Sequence, residues 1–240
     1  MVQALSEDST LSLYEKGHKV FRSSVDLRDI SLPTVNFDAI LASKNPQQEV
    51  QGLAPQELYF SLKNKGLENS SEVLPLLSKD QFIKLVDYDV WSGKELSTQK
   101  LFAWLDEYKK LNPKQMIRRY RELDEEYQVA VLSPYVRGYT EEEYEKMTEA
   151  EQDALFAFPG KEVYFSVVGL DKKTHESVIN FFEIAGEQDI EYAISLLADL
   201  SYTPPHEAAE LIAQFRKARL EEDGFITKQE SREFFFPLSL

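Results

Sequence analysis

The run Asp87-Tyr88-Asp89-Val90-Trp91 carries the most suggestive chemistry in the chain. If it closes a helix, Asp87 and Trp91 share a face and Asp89 is turned away. Carboxylates near a helix C-terminus oppose its dipole, so they require another partner. That partner is a Lys or Arg, the free amides of a neighbouring helix, or a ligand. A structural arrangement also fits: Trp91 plugs the core, and the acids cap the turn through Ser92 and Gly93. Asp87, Asp89 and Trp91 are the candidate ligand- or partner-binding residues.

A second group is acidic. Residues 122–153 hold 11 acids and 2 bases, with Glu141, Glu142, Glu143 and Glu145 crowded together. Such crowding suits a divalent cation. It also suits helix starts at Thr140 and Thr148, whose first turns favour negative charge. Asp223 to Glu230 resembles half a calcium loop when Gly224 takes the glycine position. The first ligand position then falls on Arg219, a cation that repels Ca²⁺. A helix ending at Gly224 and another capped by Thr227 and Glu230 is the simpler reading.

Other chemistry finds little support. His18, His175 and His206 are far apart and form no His-x-His or His-x-x-x-His pair. No Gly-x-Ser-x-Gly, phosphate loop or Gly-x-Gly-x-x-Gly occurs. The chain has no cysteine, which excludes disulfides, thiolate metal sites and cysteine nucleophiles. No catalytic residue, metal site or cofactor is expected.

The net charge of −15 is unevenly placed. Residues 1–120 hold 16 acids and 16 bases; residues 121–240 hold 26 and 11. An acidic field disfavours nucleic acid and anionic membrane surfaces. The one basic cluster, Lys109, Lys110, Lys114, Arg118, Arg119 and Arg121, runs straight into acids. Arg118 with Glu122 and Arg121 with Glu125 have the i,i+4 spacing of a salt-bridged wet face. With no signal peptide and no apolar run of about 20 residues, a cytoplasmic protein without membrane insertion is expected.

The elements that must position these groups announce themselves by their caps. Asn45-Pro46-Gln47-Gln48 and Asn112-Pro113-Lys114-Gln115 each place a capping Asn before a Pro at the first helical position. Further starts are Asn69 with Glu72, Ser78 with Gln81, Thr140 with Glu143, Thr148 with Glu151 and Thr227 with Glu230, joined by Pro55, Pro204 and Pro205. Helical stripes follow. They are Leu101, Trp104, Leu105 and Tyr108; then Met116, Tyr120, Leu123, Tyr127 and Ala130 on one long helix. Ile190, Ala193, Ile194 and Leu197 follow Gly186, read as the end of the preceding helix. Leu211, Ile212, Phe215 and Ala218 complete the set. Glu162 to Val168 (EVYFSVV) is rich in β-formers but shows no nearby partner strand, and reads as helix or irregular.

Many of these helices are short and must stack on neighbours to bury enough surface. The expected fold is therefore all-α, an irregular α-solenoid or superhelix of short stacked helices. Residues 1–30 read as a mobile arm with a possible short helix around Leu11 to Phe21. Residues 31–240 read as one helical domain.

Leu53 to Phe60 (LAPQELYF), Gly66 to Glu68, Leu77 to Phe82 (LSKDQF) and Asp87 to Trp91 together resemble an uncharacterised bacterial family of unknown function. Phe215 to Phe225 (FRKARLEEDGF), Glu230 and Phe234 to Leu238 resemble that family's recurrent segment. The likeness spans roughly residues 38–238. In architecture alone, the alternating short helices are also similar to the cytosolic superhelical domain of MgtE-type magnesium transporters. Neither resemblance implies a catalytic residue. The expectation is a non-enzymatic scaffold or adaptor that offers a groove to a protein partner, its oligomeric state open. The alternative is a regulatory domain binding a divalent cation or small ligand through its acidic half.

Overall fold

A computed structural model of the chain describes residues 34–92 and 95–223. The expected N-terminal arm and the start at Thr227 and Glu230 lie outside the described residues, as do Gly93, Gly224 and His18. The described part is mostly helical, with two small sheets, so the all-α expectation is corrected in that respect.

The first layer holds α1 (Phe37–Leu41), α2 (Pro46–Gln51), α3 (Pro55–Lys65) and α4 (Lys79–Asp89). The expected capping box at Ser78 is complete: its hydroxyl accepts from the Gln81 amide, and the Gln81 side chain accepts from the Ser78 amide. No α-helix starts at Asn69. Leu67–Asn69 is a 3-10 turn, and the Asn69 side chain donates back to the Lys65 carbonyl at 3.0 Å. After α4 comes a two-strand hairpin, β1 (Trp91–Ser92) with β2 (Glu95–Leu96).

The central layer holds α5 (Thr98–Leu111), α6 (Pro113–Arg121) and α7 (Glu125–Leu132). All four stripe residues of α5 are fully buried. The long helix expected through Met116 and Ala130 is two helices. Glu122 caps the end of one and Asp124 opens the next, so the apolar stripe stays buried while its axis turns.

Sheet two follows with β3 (Val136–Tyr139), α8 (Glu141–Glu145), α9 (Glu149–Gln152), β4 (Phe156–Ala157) and β5 (Tyr164–Val167). The EVYFSVV segment is therefore a strand, correcting the helical reading. It is central in the order β3-β5-β4, antiparallel to both neighbours. Its burial alternates as a half-covered strand requires.

The closing helices are α10 (Lys172–Gln188), α11 (Ile190–Tyr202) and α12 (Pro205–Glu222). Gly186 does not end α10, which runs on to Gln188. It makes room: a Cβ there would lie 2.7 Å from the Phe158 ring. Gly138 serves similarly on β3. A Cβ would meet the Leu197 carbonyl and Ser201 Oγ of α11, each at 3.1 Å, and Ser201 Oγ accepts from the Gly138 amide at 3.1 Å. Helix α11 thereby covers the open edge of β3. Phe102, Tyr120, Phe181, Phe182 and Phe165 form a continuous aromatic chain from α5 and α6 through α10 to β5, with successive centroids 4.5–6.4 Å apart.

Candidate functional site

The last turn of α4 presents its two acids to opposite sides. Asp87 has 1% of its side chain exposed, and Arg219 of α12 reaches it from Nε at 2.6 Å. Arg219 also donates to Asp124 at 2.9 Å, and Arg216 donates to the Asp87 carbonyl at 3.0 Å. The Arg216 guanidinium lies 5.0 Å from the Trp91 ring centroid. Trp91 is buried and meets Tyr127 edge-on at 6.4 Å. The opposition expected from the helix dipole is therefore met by guanidinium groups from the far end of the chain.

Asp89 points the other way. It accepts from Trp104 Nε1 of α5 at 2.9 Å, from Lys63 Nζ of α3 at 2.8 Å and from the Tyr59 hydroxyl at 3.3 Å. The two carboxyls consequently titrate in opposite directions. Burial raises Asp87 above the ordinary carboxylate range, with Arg219 and Arg216 offsetting part of the rise. Burial also works to raise Asp89, but bonds from Lys63 and Trp104 and the charges of Lys63 and Lys100 outweigh it, leaving Asp89 below that range. Burial and the Asp89 charge push the Tyr59 hydroxyl up to about 12.

A second ionic knot lies one turn back on α4. Lys84 and Tyr88 both bind the Asp223 carboxylate, and Gln56 donates to the Asp223 carbonyl at 3.3 Å. Beside this knot, Gln56, Tyr59, Phe60, Tyr88, Arg216 and Leu220 line a mostly apolar groove of about 190 Å³ between α3, α4 and α12. Phe60 and, elsewhere on α12, Leu211 and Phe215 are exposed apolar side chains. Leu211 and Phe215 therefore do not lie in the core, as their stripe suggested. The inward face of α12 is Ala208, Ile212, Arg216 and Arg219, spaced by four, four and three residues.

The acidic group dissolves into local roles. Glu143 closes the capping box with Thr140, and the Thr140 amide is the main cause of its lowered pKa. Glu142 takes Lys146 at 2.5 Å. Exposed Glu141 is raised by the charge of Glu162, which faces it. Glu145 lies on the same short helix, close enough to add to that effect. Among the described residues no group of three or more His, Asp or Glu is arranged to hold a metal ion. His175 and His206 fall in first helical turns, and His175 lies edge-on to Phe156.

In the basic cluster, Arg118 pairs with Glu122 as expected. Arg121 instead reaches Asp189 at 2.8 Å, because Glu125 belongs to the next helix. Arg119 is not on the wet face at all. It is buried against the Phe82 and Tyr108 rings and donates to the Leu77 carbonyl at 2.8 Å. The partners of Asp87 and Asp89 also escaped the sequence reading. A usable signal existed for two of them, since Arg216 and Arg219 continue the helical spacing of buried Ile212.

No helix among the described residues is long and apolar enough to cross a membrane. No curated protein and no solved structure matches the chain. One family does match, the family of unknown function DUF6178, over residues 31–240, and the chain belongs to it.

Proposed function

We propose that the chain is a non-enzymatic interaction module whose stacked short helices form an irregular superhelix that receives a protein partner. The groove of Tyr59, Phe60, Tyr88 and Leu220 carries this reading, because it keeps aromatic and aliphatic surface open at the junction of three helices. Its volume suits one large side chain of a partner. Exposed Glu57 and Glu222 neighbour the groove residues in sequence, and the whole chain is acidic. The fitting occupant is a Leu, Met or aromatic anchor flanked by Lys or Arg.

Peptide display against the immobilised chain tests this. Enriched peptides should combine an apolar anchor with basic flanks. Phe60→Asp should abolish the enrichment while lowering the thermal midpoint only modestly, because Phe60 is 39% exposed. Enrichment of acidic peptides, or enrichment that survives Phe60→Asp, overturns the reading.

One observation favours a second reading, a regulatory domain that answers a divalent cation through its acidic half. Glu141 and Glu162 face each other closely enough for one to raise the other. Mg²⁺ or Ca²⁺ should then raise the melting temperature saturably, and Glu162→Gln should remove the effect.

A further inference from the structure

Helix α12 packs along α7, but few of its side chains are fully buried. Of its 18 residues only Ala208 and Ile212 are buried, whereas α10 buries six of 17. Past Ile212 its inward face is carried mainly by charged groups, with Leu220 at the groove. Arg216 and Arg219 bind Asp87 and Asp124, and Asp223 just beyond the helix binds Lys84 and Tyr88. An apolar contact loses its whole burial when it opens. Opened ion pairs instead regain the hydration of both charges, which returns much of what their closure gained. The chain enters α12 through extended Thr203 and Pro204, the two residues that separate it from α11.

We propose that α12 is an ionic strap, which opens as a unit about residues 203 and 204 while the rest of the domain stays folded. Opening frees Asp87 and the Trp91 ring and removes Arg216 and Leu220 from the groove between α3 and α4. Strap motion controls access to this corner of the domain. The inference does not rest on the groove reading, because the motion is measurable whether or not the groove binds a peptide.

The absence of cysteine makes the test clean. Ala208→Cys places a thiol on the buried face of α12, and Ala185→Cys places one in α10 as a core control. With a maleimide reagent, the thiol at 208 should react at least about tenfold faster than that at 185, as local opening requires. Adding Arg219→Gln should accelerate position 208 about tenfold more and leave position 185 within about twofold. Lys84→Ala, which loosens the other knot, should act in the same direction if Arg219→Gln does not accumulate. Equal rates at both positions, or equal acceleration of both, overturn the proposal, because α12 then opens only with the whole domain.

Discussion

Asp89 and Trp104 are joined by a hydrogen bond of 2.9 Å from the indole N–H to the carboxylate, with both side chains in the interior. The same carboxylate holds Lys63, whose side chain is half exposed. Trp104 and Lys63 therefore have different alternatives when Asp89 is removed.

Trp104 cannot reach water, and Lys63 can. Asp89→Ala should destabilise the domain by about 2 kcal/mol, the usual penalty for stranding a buried donor. Lys63→Ala should change stability by under about 1 kcal/mol, in line with a solvent-screened pair. Trp104→Phe in the Asp89→Ala background should lose less than the two single effects combined. Urea denaturation of the parent and the four variants, Trp104→Phe alone included, reads all three outcomes, and additive losses would show that the indole bond is not the coupling.

The acid limb of stability has a definite sign. Asp89, Asp171, Asp189, Glu143 and Glu151 all have lowered pKa values in the folded chain. Each contributes stability that is fully present above its unfolded pKa, about 4 for a carboxyl, and is lost as pH falls through the folded value. Asp87 is raised and acts oppositely, its contribution declining as pH rises from the unfolded value through the folded one. Stability should therefore fall below about pH 4, whereas Asp87 adds stability as pH falls toward that value from above. Asp171 accepts from the Lys173 and Thr174 amides at the start of α10. Asp171→Asn keeps a capping oxygen but cannot titrate, so it should flatten the limb by lowering neutral stability slightly while leaving the acid end unchanged. An unchanged acid slope in that variant would remove the cap from the account.

Gly186 distinguishes packing from helix termination. Alanine there would gain about 1 kcal/mol of helix propensity. The Phe158 ring stands 2.7 Å from the new Cβ and is itself buried, so overpacking of about 1–3 kcal/mol should win. Gly186→Ala should lower the urea midpoint, and Phe158→Leu in the same chain should recover part of the loss. A stabilised Gly186→Ala would mean that the ring moves aside freely.

These cases mark where sequence was informative. Capping at Ser78, Asn112, Thr140 and Thr148 is local chemistry within three residues, and each of these residues begins a helix. The α5 stripe is equally local. Strand β5 was hidden because its longer ladder runs to Val136–Tyr139, far back in the chain, and its nearer partner, Phe156–Ala157, is only two residues long. The partner of Asp87 was hidden more deeply, since Arg219 lies 132 residues away. The carboxylates of α4 could be seen to require a partner; which cation supplied it depends on how α12 packs.

Arg119 is the sharpest case of a residue whose type misleads. It stands in a basic cluster, but it shares the face of Met116 and Tyr120 and has 4% of its side chain exposed. One amino group donates to Glu122 at 2.6 Å, the other to the Leu77 carbonyl, and the plane lies about 5 Å from two ring centroids. Lysine has neither the fork nor the flat face, so it cannot serve both acceptors while covering Phe82 and Tyr108. Arg119→Lys should destabilise by about 2 kcal/mol by leaving one acceptor unmet. Arg119→Met keeps the apolar packing but strands the Leu77 carbonyl and leaves Glu122 only Arg118, so it should be worse, at about 3 kcal/mol. Arg118→Met, one position away and largely exposed, should lie within about 0.5 kcal/mol of the parent. If urea denaturation ranked Arg118→Met with the Arg119 variants, the cluster would act as a surface unit, and the interior role of Arg119 would be wrong.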